Sequence, residues 1–178
     1  MAGRCSTRKG RGLAPTTRTS TTSRNDAFSI RVVSVPSPSE VAMGGSAVGR
    51  ITVRDFQDDF LMDLTYWSVE QYEASWVRAL QLLETSNDAT SCLISSMTDP
   101  ASSNFVFCWP LYRCGDVVYI QNSIIFMDQL TEQFNPDDPW RSVEQRSTID
   151  EDGHVISEWQ TSIDEVRNFL LNRSAQRQ

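Results

Sequence analysis

Few residues in this sequence have the types and spacing that covalent chemistry requires. His154 is the one histidine of the 178-residue chain, and Lys9 is the one lysine. A single imidazole leaves no multi-histidine metal site. A chain without lysine after residue 9 excludes a Walker loop and a lysine Schiff base in its main part. The four cysteines show no Cys-x-x-Cys spacing, which disfavours zinc. The sequence therefore predicts no metal centre and no cofactor.

Clustered carboxylates are the remaining candidates for chemistry. One cluster precedes position 64 and the other lies at 137–138. Paired carboxylates can serve in hydrolysis or metal binding, but neither cluster has a companion histidine or cation in a recognisable motif. Both clusters lie beside aromatic residues, and this combination is typical of a surface that binds a basic protein, where aromatics anchor and charges steer. The candidate binding residues are Asp58, Asp59, Asp63, Tyr66, Trp67, Asp137, Asp138 and Trp140.

Charge and aromatic content divide the chain near residue 50. Residues 1–50 carry eight basic and two acidic side chains, whereas the remainder carries 8 basic and 21 acidic ones, a net charge of −13. Sixteen of the 17 aromatic residues lie in this acidic remainder, so the core is expected there. An acidic domain repels a phosphate backbone, and we therefore expect no binding to nucleic acid.

Hydropathy gives no sign of a membrane or secreted protein. No apolar run approaches the roughly 18–20 residues that a membrane helix needs. The first 30 residues also lack the apolar segment of a secretory signal. We therefore expect a cytoplasmic protein with reduced cysteines and no membrane partner.

The first 50 residues are rich in Gly, Pro, Ser and Thr and have almost no apolar periodicity. Such a segment buries too little surface to offset the entropy of ordering it, so residues 1–50 are predicted to be a basic disordered tail. A transit peptide and a tail that contacts an acidic partner are alternatives. We favour a third interpretation, in which translation starts near Met43 and residues 1–42 are not made. The intact mass of protein expressed from the native gene tests this interpretation.

A single domain is predicted over residues 51–173, with a frayed end at 174–178, and it contains two helix signals. Residues 68–71 (SVEQ) and 162–165 (SIDE) have the pattern of capping boxes, and each is followed by an apolar stripe of helical period. The run 56–67 fits either a short helix or an extended arm.

Between the two helices the apolar period changes to two, which indicates strands. Residues 104–112 are nearly all apolar, as in a strand covered on both faces, and Pro110 predicts a bulge or an edge position there. Alternation after Gly115-Asp116 predicts a hairpin whose second strand, 117–126, places on one face Val118, Ile120, Ile124 and Phe126. Other predicted strands cover 91–97 and a second hairpin, 142–149 with 154–161. The expected fold class is α+β, an antiparallel sheet of about four or five strands with helices packed on it.

The order of these segments resembles a known family. The strings DLTYWSVEQYEASWVRAL, SCLISSMTDP, NFVFCWPLYRCGDVVYIQNSIIF, FNPDDPW and DEDGHVISEWQTSIDEV look like the immunity proteins of contact-dependent growth inhibition systems. The similarity runs from about Phe56 to Phe169. It implies that the chain binds the C-terminal domain of a toxin and neutralises it in the cytoplasm, without performing chemistry. The acidic composition adds the expectation that this toxin domain is basic.

Two other functions remain open from the residues alone. An uncharacterised hydrolase would use acidic residues with His154, and a non-catalytic adaptor would bind a different protein. Replacing His154, Cys92 and Cys108 by alanine separates the inhibitor from the enzyme, because only the enzyme would lose its function. Gene order separates the inhibitor from the adaptor, because an immunity gene should lie directly downstream of its toxin gene.

Overall fold

The computed structural model describes residues 27–176 as two antiparallel sheets and three helices. The strands are β1 (Phe28–Ser34), β2 (Ala47–Val53), β3 (Phe56–Met62), β4 (Thr90–Ser96), β5 (Phe105–Cys114), β6 (Val117–Gln121), β7 (Ser123–Phe126) and β8 (Glu158–Ser162). The helices are α1 (Pro38–Ala42), α2 (Val69–Leu82) and α3 (Ile163–Gln176). The predicted α+β class is confirmed, although the strands form one sheet of three and one of five. No helix within residues 27–176 combines the length and apolar character needed to cross a membrane.

The three-stranded sheet, in the order β1-β2-β3, begins well inside the segment expected to be disordered. Phe28 and Ile30 of β1 are buried in the core, and alternate residues of β2 are buried from Ala47 to Val53. The prediction of a disordered tail is therefore wrong for residues 28–50. Each strand contributes only a few apolar side chains to the core, but a period of two places those few on the same face. The part of the prediction that concerns residues 1–26 lies outside the described residues.

The run 56–67, which fitted either a short helix or an extended arm, begins with the extended strand β3. Phe56 of β3 stacks on Trp159 of β8 with ring centroids 3.8 Å apart, and Trp109 of β5 lies beside both rings. Phe60 meets the ring of Trp76 in α2 edge to face at 6.0 Å. These aromatic contacts join the two sheets and α2 around one core.

The larger sheet has the order β4-β5-β6-β8, and β7 pairs with β5 beyond the end of β6. Residues 105–108 of β5 pair with β7, whereas residues 111–114 pair with β6. Pro110 lies between these two stretches in an interior strand, and its pairing with β4 is regular. The predicted bulge or edge position at Pro110 is therefore wrong. A residue without an N–H group fits into this strand where the ladder on one side is interrupted.

The predicted strand 117–126 is broken at Asn122, and the break reverses which side chains face inward. Val118 is fully buried in β6, but in β7 the buried residue is Ile125, whereas Ile124 and Phe126 are exposed. The prediction that these residues share one face is therefore wrong. A one-residue offset exchanges the two faces of a strand because side chains alternate.

Only part of the predicted second hairpin forms. The turn at 150–153 is present, since Asp150 N–H donates to the His154 carbonyl at 2.9 Å and Gly153 has a φ of +85°. Residues 142–149 are not a strand, and a single bridge joins Ile149 and Val155. The shorter β8 pairs with β6 instead. Residues 144–149 are all exposed, so no buried face holds them in a sheet.

Both long helices begin at the predicted capping boxes. The Ser68 hydroxyl accepts the Gln71 N–H, and the Gln71 side chain accepts the Ser68 N–H in return. Ser162 and Glu165 make the same reciprocal pair at the start of α3. These two predictions are confirmed because a capping box depends only on residues three apart. The third helix continues to Gln176, past residue 173, where the domain was expected to end.

Candidate functional site

The histidine and the thiols do not form an accessible reactive group. His154 is exposed on the turn after residue 150, with its Nδ1 3.5 Å from Oδ2 of Asp150. Cys92 and Cys108 are fully buried on the paired strands β4 and β5. Burial, together with the neighbouring Cys108 thiol, raises the pKa of Cys92 well above its ordinary value, so this thiol stays protonated. Across residues 27–176, no group of three or more His, Cys, Asp or Glu side chains is placed to hold a metal ion.

The first predicted acidic cluster is largely engaged within the fold. Asp59 accepts two hydrogen bonds from the Arg50 guanidinium, at 2.5 and 2.7 Å, and this pairing lowers the pKa of Asp59. The Asp63 carboxylate accepts hydrogen bonds from the Thr65 N–H, at 2.8 Å, and from its hydroxyl. Asp58 is half-buried on the other side of β3 from Asp59. The cluster does not present three free carboxylates on one face.

The second acidic cluster is also paired with arginine. Asp137 lies 3.2 Å from an Arg78 nitrogen of α2, and Asp138 lies 3.9 Å from Arg141. The two predicted clusters are therefore held by different elements, Asp59 by Arg50 of β2 and Asp137 by Arg78 of α2.

The aromatic residues predicted beside these clusters differ in exposure. Trp67 is only 7% exposed and packs edge to face against Tyr72 at 5.2 Å, so it belongs to the core. Trp140 is half-buried against the same core. Tyr66 is the member of the three that is exposed.

A different surface, absent from the sequence-based candidates, lies on β5 and β7. Four large apolar side chains on neighbouring strands are each 40–45% exposed. The strand register places Phe105 opposite Phe126 and Phe107 opposite Ile124, so the four form one contiguous group. We call this group the β5–β7 patch; its members are Phe105, Phe107, Ile124 and Phe126. Contiguous exposed apolar surface of this kind marks sites of interaction in soluble proteins.

A cleft of about 700 Å³ adjoins this patch, between β7 and the irregular segment 142–156. Ile124 and Phe126 line it on one side, so the cleft and the patch are continuous. Three acidic residues also line it, and we call it the acidic cleft: Glu144, Asp150 and Glu151.

The carboxylates of the acidic cleft have no arginine partner among residues 27–176. Arg146 is nearby in sequence, but its guanidinium is held by both oxygens of Glu158, at 2.6 and 2.7 Å, and lies over the Tyr119 ring. Tyr112 donates its hydroxyl to the Glu144 carbonyl at 3.1 Å, and burial raises the pKa of Tyr112, so this donor stays protonated. The cleft therefore holds carboxylates without an arginine partner in the described chain, beside exposed aromatic rings.

The alternation of apolar residues along β5 and β7 is the sequence signal that could have located this surface. The pairs Phe105-x-Phe107 and Ile124-x-Phe126 each repeat an apolar residue on one face of a strand, around the buried Val106 and Ile125. The prediction that the strand at 104–112 is covered on both faces is confirmed for residues 108–112. It is wrong for residues 105 and 107, which are exposed. Asn122 is the local sign that the alternation restarts.

Comparisons with known proteins identify the family. The model of the CdiI N-terminal domain matches residues 62–169, which is more than half of the chain. The immunity protein CdiI of Enterobacter cloacae subsp. cloacae is 36% identical over 131 residues, which cover 72% of this chain and 89% of that protein. This chain belongs to the CdiI immunity protein family. The resemblance predicted from the ordered segments is thereby confirmed.

A solved structure extends the similarity to nearly the whole CdiI fold. One chain of the CdiA-CT/CdiI toxin and immunity complex from Enterobacter cloacae superposes with a TM-score of 0.69 at 30% identity, covering 83% of this chain and 99% of that one. Residues from Met43 onward make up only about three quarters of this chain, so the match includes residues before Met43. The β5–β7 patch and the acidic cleft lie inside the CdiI family match, whereas Asp58 and Asp59 precede it.

Proposed function

We propose that this chain is an immunity protein that binds the C-terminal toxin domain of its cognate CdiA protein and neutralises it. The observation that carries this proposal is the similarity to a chain of a toxin and immunity complex over 99% of that chain's length. The toxin acts inside the cell that it enters, and the immunity protein meets it in the cytoplasm.

The proposed mechanism is occlusion of the toxin without catalysis. The two thiols support it because both are fully buried and a substrate cannot reach them. The single histidine is exposed on a turn, where only Asp150 pairs with it. Residues 27–176 contain nine arginines against 22 acidic residues, a net charge of −13. A field of this sign favours encounter with a basic toxin domain and disfavours nucleic acid as a direct ligand.

A test of the function uses the toxin domain encoded directly upstream of this gene. Bacteria that express this domain alone should stop growing, and coexpression of the full chain should restore growth. The two purified proteins should also elute together in size-exclusion chromatography. Absence of both protection and a complex would refute the proposal.

Replacing the histidine and the two buried cysteines should leave immunity intact. We expect the combined variant His154→Ala, Cys92→Ala and Cys108→Ala to protect cells as the wild type does, because occlusion needs none of these groups. Its melting temperature is measured in parallel, since both cysteines are buried, and His154→Ala alone serves as the variant that leaves the core untouched. Loss of protection by a folded His154→Ala protein would favour the hydrolase alternative.

The two predicted acidic clusters are proposed to steer the toxin at longer range. Asp137→Lys combined with Asp138→Lys should lower the association rate by less than about tenfold at low salt, because surface charges act mainly on encounter. The difference should shrink above about 0.5 M salt, where screening is strong. Stopped-flow binding at several salt concentrations measures it. An unchanged rate at low salt would exclude a steering role for this cluster and leave the immunity function standing.

A further inference from the structure

We infer that the β5–β7 patch and the acidic cleft together form the surface that holds the toxin, and that the occupant is a cationic part of the toxin surface that carries apolar side chains. This inference rests on the proposed function and adds the location of the contact and the chemistry of the partner.

The patch has the composition of an interface anchor. Three of the four exposed Phe and Tyr side chains of the described chain lie in it, the fourth being Tyr66. The rings of Phe105 and Phe107 meet edge to face at 5.2 Å, which holds them in a defined arrangement before any partner arrives. Their neighbours on the opposite face, Val106 and Ile125, are buried in the core, so the patch sits on a rigid support. Preorganised aromatic anchors carry much of the binding energy in protein interfaces.

The acidic cleft supplies the charge preference. Asp59, Asp137 and Asp138 are already paired with arginines of this chain, but Glu144 and Glu151 are not. A cationic side chain from a partner would therefore gain attraction in the cleft without competing against an internal arginine. The cleft shares Ile124 and Phe126 with the patch, so one partner surface can fill both. A volume of about 700 Å³ accommodates several side chains.

A second copy of this chain fits the same surface poorly. In a symmetric dimer the same patch meets itself, and the three carboxylates of each acidic cleft would approach their counterparts. Like charges brought together in this way oppose association. Charge complementarity therefore favours a basic toxin domain as the occupant.

The test compares variants of the full chain for binding to the purified toxin domain encoded directly upstream. Phe107→Glu combined with Phe126→Glu should raise the dissociation constant by at least about 100-fold, mainly through faster dissociation, because it places charges among the anchors. Glu144→Gln combined with Glu151→Gln should slow association by about threefold to tenfold at low salt. Matched controls are Leu61→Glu, which adds a charge at a 67% exposed position on β3, and Glu70→Gln with Asp88→Asn. The second control removes one exposed charge in the first turn of α2 and one after its end. Both controls should bind within about twofold of the wild type.

The outcomes separate this inference from the proposed function. Wild-type binding with an unaffected patch variant would overturn the inference and leave the function in place, whereas a wild type that does not bind the toxin domain would refute the function itself. Weaker binding by Leu61→Glu alone would move the contact to β3 and overturn the inference. The inference would also be overturned if the wild type were a dimer in analytical ultracentrifugation and Phe107→Glu converted it to a monomer. If the double patch variant does not melt cooperatively, Ile124→Ser replaces it, with an expected loss of about tenfold or more.

Discussion

A chain that begins at Met43 is expected to lose the cooperative fold of this domain. Such a chain lacks β1, and with it the buried side chains of Phe28 and Ile30 and the whole β1–β2 ladder. It also removes the edge-to-face contact, at 5.7 Å, between Phe28 and Phe169 of α3. Truncating two such side chains costs about 5–10 kcal/mol in free energy of unfolding, which approaches the total of about 5–15 kcal/mol that domains possess.

Thermal denaturation followed by circular dichroism measures this effect. The matched control is a chain that begins at Asp26, which keeps every contact within residues 27–176. The two truncated chains differ only by residues 26–42, and the chain from Met43 should melt far below the control. A chain from Met43 that melts cooperatively at the same temperature would contradict the expected role of β1. The result also bears on the start of translation: a product that begins near Met43 would lack a strand that the core requires.

Replacing Trp76 by alanine should cost about 4 kcal/mol or more of unfolding free energy, near the upper end of the range for buried aromatic residues. Trp76 lies in α2, where it is almost fully buried and meets Phe60 of β3 and Tyr72 of the same helix. Its indole nitrogen donates to the Ile94 carbonyl of β4 at 2.7 Å. One side chain thus joins α2 to both sheets, and a cavity there weakens all three elements.

Chemical denaturation of three variants tests this prediction. Trp76→Ala should show the full loss of unfolding free energy. Trp76→Phe keeps part of the packing but has a smaller ring and leaves the Ile94 carbonyl without its indole donor, so it should lose about 1–3 kcal/mol. Tyr66→Ala removes an exposed aromatic from the same region and should cost less than about 0.5 kcal/mol. A loss below about 1 kcal/mol for Trp76→Ala would show that the core does not depend on this residue.

Helix starts and tight turns could be predicted from the sequence, since adjacent residues determine them. The capping boxes at Ser68 and Ser162 need only a partner three residues away. Gly115, with a φ of +64°, makes the turn between β5 and β6 wherever those strands lie. The strand β4 and the apolar second half of β5 could also be predicted, the latter because a strand buried on both faces needs no alternation.

The smaller sheet was not predicted because its first two strands are short and lie in a segment that is rich in Gly, Pro, Ser and Thr as a whole. Ile30 and Ile51 are opposite each other in the β1–β2 register, 21 positions apart, and only together do such pairs bury enough surface to order the segment. The interruption between β6 and β7 at Asn122 could not be predicted either. It occurs because β5 pairs with β6 along one half and with β7 along the other, which is a property of the assembled sheet.

Residue types and near neighbours along the chain are enough to establish the charge of this protein, the scarcity of reactive side chains, the helix starts and the family resemblance. Folding establishes which carboxylates pair with an arginine and which aromatic rings stay exposed. Asp137 is paired by an arginine 59 positions away, whereas Glu144 has no such partner in the described chain. Phe107 is exposed because no other element packs on its side of β5. Both outcomes depend on contacts between distant residues, which form only when the chain folds.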